Sequence, residues 1–282
     1  MPGRRERAGR LMPPVSAAGP LFPWLVTDLD GTLVGRDLRI VARSADALRR
    51  YRERGGTVYI ATGRNEESAG RYHRDLGLDT PMILYNGARV VDPATGRRLL
   101  DLRLDDSCLR NAVLPELPAG VGAVGFAGEN AYALRAAPAL ADYARRDGIT
   151  LRTDAPAEPL TKAMLIAPAP PLNGLAALVA ERCPGVRLLQ SEDTYLEILP
   201  ADAGKGPALR WLTEREGIDL SRVAAIGDNP NDIDMMTAVG LGAAVGDGHP
   251  ETRAAADIVV GGCADGAVAD LVDRILADGK PE

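Results

Sequence analysis

Carboxylates are grouped at the ends of two predicted strands. Asp28 and Asp30 follow one apolar run of the sequence, and Asp228 and Asp232 follow a later one. Because the carboxyl ends of parallel strands meet at one edge of a sheet, we expect these side chains to lie together. Each aspartate alone could cap a helix or form a turn, but carboxylates that share one edge repel each other unless a cation lies among them. Oxygen ligands without neighbouring His or Cys favour Mg²⁺.

Two further groups that can bind phosphate follow strands or open helices. Thr62 and Gly63 come directly after a β-branched run, where a hydroxyl and backbone amides can hold phosphoryl oxygens. Lys205 opens a predicted helix, and its ammonium can neutralise phosphoryl charge. Taken singly, Thr62 could be a helix N-cap and Lys205 a surface lysine. Lysine is rare in this chain, with Lys162 and Lys280 the only others, so a lysine within a site indicates a need for its compact charge.

The spacing of the apolar residues predicts an α/β core. Strands alternate with helices through short connections, which indicates a parallel sheet with helices on its faces. The predicted strands are 24–27, 57–61, 81–85, 223–226, 241–245 and 258–260, and the predicted helices are 44–54, 66–76, 206–217, 232–239, 249–256 and 267–276. Between the two halves, hairpins mix with helices, which predicts an inserted α+β domain.

This change of pattern divides the chain into domains. We expect residues 1–22, rich in Arg and Pro, to be a disordered extension. Residues 23–87 and 200–282 are predicted to form the doubly wound, mostly parallel core, and 88–199 the inserted domain. A core that is split by an insertion places the ligand cleft between the two domains, above the carboxyl ends of the strands.

Composition excludes several classes of protein. In 282 residues, acidic side chains outnumber basic ones by 39 to 33, and the formal charge of -6 argues against binding to nucleic acid or to an anionic membrane. No apolar stretch approaches the roughly 20 residues of a membrane span. Cys108, Cys183 and Cys263 are far apart and odd in number, which argues against a disulfide framework or a Cys-type zinc site and favours the reducing cytoplasm.

The chemistry-bearing segments resemble a known family. In order and spacing they are similar to the four motifs of the haloacid-dehalogenase (HAD) superfamily, which here read Asp28-Leu29-Asp30-Gly31-Thr32-Leu33, Ala61-Thr62-Gly63-Arg64, Lys205 and Gly227-Asp228-Asn229-Pro230-Asn231-Asp232. The insertion, with Asn86-Gly87-Ala88 and Glu197-Ile198-Leu199-Pro200, resembles the Cof-like sugar-phosphatase subgroup with an α/β cap of the C2 type. The resemblance covers about residues 24–276. The segments 201–204 and 246–250 depart from the subgroup pattern, which affects substrate contacts rather than phosphoryl chemistry.

The resemblance implies a role for each site residue. Asp28 would be the nucleophile that becomes an aspartyl phosphate, and Asp30 the acid and then the base. Asp30 must therefore carry a proton when the leaving oxygen departs. The phosphoryl group would be held by Thr62, Gly63, Lys205 and Asn231, with Arg64 and Asn86 on the substrate side. Mg²⁺ would be held by Asp28, the backbone carbonyl of Asp30 and Asp228, supported by Asp232.

We therefore expect a Mg²⁺-dependent phosphatase that acts on a small phosphorylated metabolite, either a sugar phosphate or a phospho-polyol, with no nucleic-acid or membrane partner. A phosphomutase or phosphotransferase of the same superfamily would use the same residues, with an alcohol in place of water as acceptor. A phospho-receiver or sensor with little turnover also combines Asp, Thr and Lys at strand ends. The predicted cap and Asp30 argue against that third reading, because a receiver needs no acid for a leaving group.

Overall fold

Two sheets and the helices around them make up the chain. The computed structural model describes residues 19–168 and 172–278. Within these ranges the strands are β1 Trp24–Thr27, β2 Thr57–Ala61, β3 Met82–Leu84, β4 Arg89–Asp92, β5 Arg97–Asp101, β6 Gly122–Ala127, β7 Asn130–Arg135, β8 Leu151–Arg152, β9 Lys162–Ile166, β10 Val186–Glu192, β11 Tyr195–Pro200, β12 Val223–Gly227, β13 Leu241–Ala244 and β14 Ile258–Val259. The helices are α1 Ala42–Glu53, α2 Glu66–Asp75, α3 Pro138–Asp147, α4 Asn173–Arg182, α5 Lys205–Glu216, α6 Ile233–Met236, α7 Pro250–Ala255 and α8 Ala267–Asp278.

The core sheet has the order β14-β13-β12-β1-β2-β3-β4-β5 within the described residues. Its first six strands are parallel, and β4 and β5 add an antiparallel edge. The central strand β1 is buried on both faces, with Leu25 in one apolar cluster and Trp24 and Val26 in another. A strand with helices on both faces must be apolar throughout, which explains its run without alternation. The prediction of a doubly wound α/β core is confirmed.

The register of the central strands sets where the polar residues emerge. Thr27 is paired with Ile226 on one side and with Ile60 on the other. Strands β12, β1 and β2 therefore end at the same level, and the residues that follow them reach one edge of the sheet.

The inserted domain has its own sheet, with the order β10-β11-β9-β6-β7-β8. Helix α4 and the segment 109–117 pack their apolar side chains against this sheet. The sequence placed the start of the insertion at residue 88, but β4 and β5 pair with the core sheet, so the separate sheet begins only after Asp101. Strands β4 and β5 form one of the hairpins predicted for the insertion. The sequence carries no signal that this hairpin extends the edge of the core sheet at β3. At the other end, the cap sheet runs to Pro200.

The turn between β3 and β4 touches the segment that joins the cap sheet to α5. Gly87 has a φ of +88°, and a Cβ placed on it would lie 1.9 Å from the carbonyl oxygen of Gly204. Both the backbone conformation and the close approach exclude a side chain there. The preceding residues Tyr85 and Asn86 also have positive φ values, 51° and 53°. Non-glycine residues in this region store strain, which is common beside functional sites.

The cysteine prediction is wrong for one pair. Cys108 and Cys183 form a disulfide within the cap, with their Cα atoms 5.5 Å apart. They are distant in sequence, but the segment that follows Cys108 packs against α4, which ends just before Cys183. Cys263 is free and buried. This disulfide removes the cysteine argument for a reducing cytoplasm, and that location stays a prediction.

The ends of the chain are only partly covered. Of the predicted N-terminal extension, residues 1–18 lie outside the described residues, as does Lys280. Phe22, assigned to that extension from the sequence, packs against the core, and its carbonyl accepts a hydrogen bond from the Tyr51 hydroxyl at 2.6 Å. Among the helices described, none has the length and apolar content to cross a bilayer.

Candidate active site

Asp28 and Lys205 form the centre of the site. Asp28 follows β1, and its backbone N–H donates to Ile226 at the end of β12. Lys205 is the first residue of α5, and its ammonium donates to Asp28 Oδ1 at 2.7 Å and to Asp232 Oδ1 at 2.6 Å. The lysine is 1% exposed, so it is not the surface lysine that its sequence alone allowed. One buried ammonium thus bridges two buried carboxylates.

Asp232 organises the turn after β12. Its Oδ2 accepts hydrogen bonds from the backbone N–H groups of Asp228 and Asn229, both at 3.1 Å. Its other oxygen accepts from Lys205, so both carboxylate oxygens are engaged by the chain itself. Asp232 therefore fits the supporting role that the family resemblance implies better than that of a direct metal ligand.

Asp228 is oriented by three neighbours. The Thr32 hydroxyl donates to Oδ1 and the Asn229 side-chain amide to Oδ2, both at 3.0 Å. Gly31 lies against the carboxylate: its φ is +79°, and a Cβ there would be 2.4 Å from Asp228 Oδ2. The glycine in the first motif is thus required by the close approach of a residue almost two hundred positions later.

The carboxylates carry more negative charge than the site neutralises. Asp28, Asp228 and Asp232 each offer an oxygen within 4.8 Å of the others, against the single ammonium of Lys205. Burial raises the pKa of Asp28 well above its usual range; Lys205 lowers this pKa, and the neighbouring aspartates raise it. Burial, with Asp232 adding to it, raises the pKa of Asp228 to about 7. Burial alone would lower the pKa of Lys205, but Asp232 and Asp28 outweigh it and raise that pKa.

This donor set fits a hard divalent cation. Carboxylate oxygens with an excess of negative charge are the ligands that Mg²⁺ or Ca²⁺ prefers. Asp28 and Asp228 would hold the ion, since both retain some exposure to solvent, whereas Asp232 is fully buried and is bound by both Lys205 and the turn. The carboxylate of Asp30 lies outside the cluster, and ligation by its backbone carbonyl stays a prediction.

Asp30 and Arg64, which the sequence assigns to separate roles, are paired with each other. Arg64 Nε lies 2.7 Å from Asp30 Oδ2, and Nη2 lies 2.6 Å from Oδ1. The Asp30 side chain is 51% exposed and that of Arg64 18%. Such a two-bond contact suits an ionised carboxylate. If Asp30 protonates a leaving group, it must first separate from Arg64.

The predicted phosphate-binding residues meet beside Asn86. Thr62 is buried, and its Oγ1 accepts from the backbone N–H of Arg64 at 3.2 Å. The Asn231 side-chain amide donates to Asn86 Oδ1 at 2.9 Å, and Asn86 N–H donates to the Thr62 carbonyl. Gly63 lies against the same asparagine, since a Cβ on it would be 2.9 Å from Asn86 Nδ2. Asn86 therefore links the second and fourth motifs rather than pointing only to the substrate side.

Two cap residues beside Asn86 and Gly63 were given no functional role from the sequence. Lys162 at the start of β9 and Glu197 in β11 are each 5% exposed and form an ion pair at 3.2 Å. Glu197 accepts a hydrogen bond from Asn86 Nδ2 at 2.8 Å. The signals were present: Lys162 is one of three lysines, and it precedes an apolar strand. A charged residue at the start of a buried strand needs a partner of opposite charge. The spacing of residues along the sequence could not identify that partner.

Known proteins resemble this chain over most of its length. The model of a haloacid dehalogenase-like hydrolase family matches residues 25–272. "Pyridoxal phosphate phosphatase YbhA" of Escherichia coli is 26% identical over 272 residues, which cover 88% of this chain and 96% of that one. The crystal structure of TM0651 from Thermotoga maritima superposes with a TM-score of 0.78 and 28% identity, covering 90% of this chain and 97% of that one.

A longer plant protein also matches. "Endoribonuclease YBEY, chloroplastic" of Arabidopsis thaliana is 28% identical over 280 residues, and the chain spans only 47% of its length. The family model, which covers nearly the whole of the described chain, confirms the predicted family and the Cof-like resemblance with an inserted α/β cap. The chain belongs to the haloacid dehalogenase-like hydrolases and is a phosphatase enzyme of that family.

Proposed function

We propose that this phosphatase hydrolyses the phosphate ester of a small metabolite, a sugar phosphate or a phospho-polyol, through an aspartyl phosphate on Asp28. The observation that carries the proposal is the buried centre in which Lys205 holds one oxygen of Asp28 and neighbouring carboxylates leave a deficit of positive charge. A divalent cation would offset that deficit and allow the anionic phosphate ester to bind beside Asp28.

The chain's own residues supply the first step. Lys205 holds Asp28 Oδ1, which leaves Oδ2 to attack phosphorus. The P–O bond to the leaving group breaks as the new bond forms, and Asp30 gives its proton to the leaving oxygen. Thr62, the Gly63 amide and Asn231 orient the phosphoryl oxygens. Mg²⁺, when bound by Asp28 and Asp228, would neutralise charge on the phosphoryl group.

The second step returns the enzyme to its starting state. Asp30, now ionised, takes a proton from water, whose oxygen attacks phosphorus and releases Asp28 and inorganic phosphate. Arg64 holds the ionised form of Asp30. In the first step Arg64 would turn toward the leaving group, where a guanidinium can bind a second anionic or polar group of the substrate.

The test uses p-nitrophenyl phosphate and a panel of phosphorylated metabolites, including pyridoxal phosphate, with detection of free phosphate. Asp28→Asn and an excess of chelator should each abolish turnover, whereas Asp46→Asn, at an exposed carboxylate of α1, should not. Turnover that survives in Asp28→Asn or in chelator would overturn the proposal. Formation of an isomer without free phosphate would identify a phosphomutase, and a long-lived aspartyl phosphate without turnover would identify a receiver.

A further inference from the structure

The cap contributes a buried ion pair, and each member of the pair makes a hydrogen bond to the core. Lys162 and Glu197 lie on the neighbouring strands β9 and β11. The ammonium also lies 5.1 Å from the centre of the Phe126 ring. A buried pair is costly unless further hydrogen bonds satisfy both charges. Here those hydrogen bonds cross from the cap to the core, and each begins a chain that ends at a predicted phosphate-binding residue.

The first chain runs from Lys162 to Thr62. Lys162 Nζ donates to the Gly63 carbonyl at 3.3 Å. The N–H of that same peptide group, on Arg64, donates to Thr62 Oγ1 at 3.2 Å. A donor on the carbonyl polarises the peptide and strengthens the hydrogen bond from its N–H. Because Thr62 Oγ1 already accepts that bond, its own proton is left to be donated elsewhere, toward a phosphoryl oxygen.

The second chain runs from Glu197 to Asn231. An ionised carboxylate only accepts, so Glu197 fixes the Asn86 amide with Nδ2 toward itself. Asn86 must then present Oδ1 to Asn231, which donates Nδ2 to it at 2.9 Å. The charge on Glu197 thereby determines which way the amide of Asn231 is turned. Asn86 is 3% exposed and held in a left-handed conformation, so it has little freedom to reorient.

We infer that Lys162 and Glu197 are positioning residues for the hydrolysis. They set the direction in which Thr62 and Asn231 offer their groups to the phosphoryl group, so the cap shapes phosphoryl binding as well as covering the substrate. This inference rests on the proposed roles of Thr62 and Asn231. A misplacement of about 1 Å at such groups can cost on the order of 100-fold in rate.

The test must separate positioning from folding. Lys162→Met or Glu197→Gln alone leaves a buried charge without its partner and can unfold the cap. The double variant Lys162→Met/Glu197→Gln removes both charges, keeps the volumes and keeps an acceptor for Asn86. We expect its melting temperature to stay near that of the wild type, while kcat/KM falls by about 10- to 100-fold and inorganic phosphate inhibits correspondingly less. The control is Arg152→Met/Asp154→Asn, which removes an exposed ion pair of the cap and should leave the kinetics unchanged.

A second measurement shows whether the pair acts through Thr62 and Asn231. In the Thr62→Ala/Asn231→Ala background, the double variant should lower kcat/KM by less than about 3-fold, because both groups that it positions are gone. An equal factor in both backgrounds, or a double variant with wild-type kcat/KM, would overturn the inference. If either result is obtained while Asp28→Asn is inactive in the same assays, only the inference about Lys162 and Glu197 fails. If Asp28→Asn is active, the proposed function fails whatever the cap pair does.

Discussion

Replacing Lys205 by methionine tests the electrostatic balance of the site. Methionine keeps the apolar stem of the side chain and removes the ammonium that contacts Asp28 and Asp232 at 2.7 and 2.6 Å. Both carboxylates are then left buried and face each other. Removing one partner of a buried ion pair typically costs about 3–5 kcal/mol. At this chain length about 1 kcal/mol corresponds to roughly 2–4 °C, so the melting temperature should fall by about 10 °C.

The loss should depend on pH. Burial already raises the pKa of Asp28, Lys205 lowers it, and removing the lysine raises it further. A carboxyl whose pKa is higher in the folded than in the unfolded protein binds a proton on folding, so its penalty is present above the folded pKa and is relieved as pH falls. With chelator present, the difference in melting temperature between Lys205→Met and wild type should therefore shrink from about pH 8 to about pH 5.

Arg49→Met is the matched control. Arg49 also contacts two carboxylates, Asp46 and Glu53, but all three side chains are more than half exposed. Solvent screens such contacts, so its melting temperature should match that of the wild type. Thermal unfolding followed by circular dichroism measures both variants. Equal and small shifts for Lys205→Met and Arg49→Met would refute the view that the buried ammonium balances the site.

Three further predictions concern Gly87, the metal and the disulfide. Gly87→Ala should destabilise the fold by more than about 2 kcal/mol, whereas Gly55→Ala, with a similar φ of +86° but open space around it, should cost only about 1 kcal/mol; equal losses in denaturant unfolding would contradict this. Since burial raises the pKa of Asp228 to about 7, protons compete with the cation, and Mg²⁺ should raise the melting temperature more at about pH 8 than at about pH 5. Reducing the bond between Cys108 and Cys183, which are 75 residues apart, should cost up to about 4 kcal/mol; alkylation of the unreduced, denatured chain should label one cysteine, and labelling of three would show that no bond forms.

The candidate site was predictable from the sequence because its signals are local. Asp28, Thr62 and Asp228 each follow a short apolar strand, and parallel strands end at one edge of a sheet. The rarity of lysine in the chain also distinguishes Lys205, which the structure buries between two carboxylates. In such cases neighbouring residues along the chain determine the placement.

The remaining features depend on contacts that sequence spacing does not encode. The pairing of Asp30 with Arg64 joins two loops, and that of Lys162 with Glu197 joins two cap strands. The disulfide of the cap likewise needs the packing of α4 against the segment after Cys108. The edge strand β4 was predicted as part of a hairpin, but a hairpin with one apolar face can extend either sheet.

The approach of Gly87 to Gly204 has an architectural consequence. The chain enters the inserted domain at Leu102, whose N–H donates to the Ala88 carbonyl at 2.8 Å, and it leaves after Pro200, a few residues before Gly204. Because Ala88 follows Gly87, entry and exit lie near the same spot, and the inserted domain has little distance to bridge. A different module whose two ends also lie close together could be grafted there without shifting the strand ends beneath.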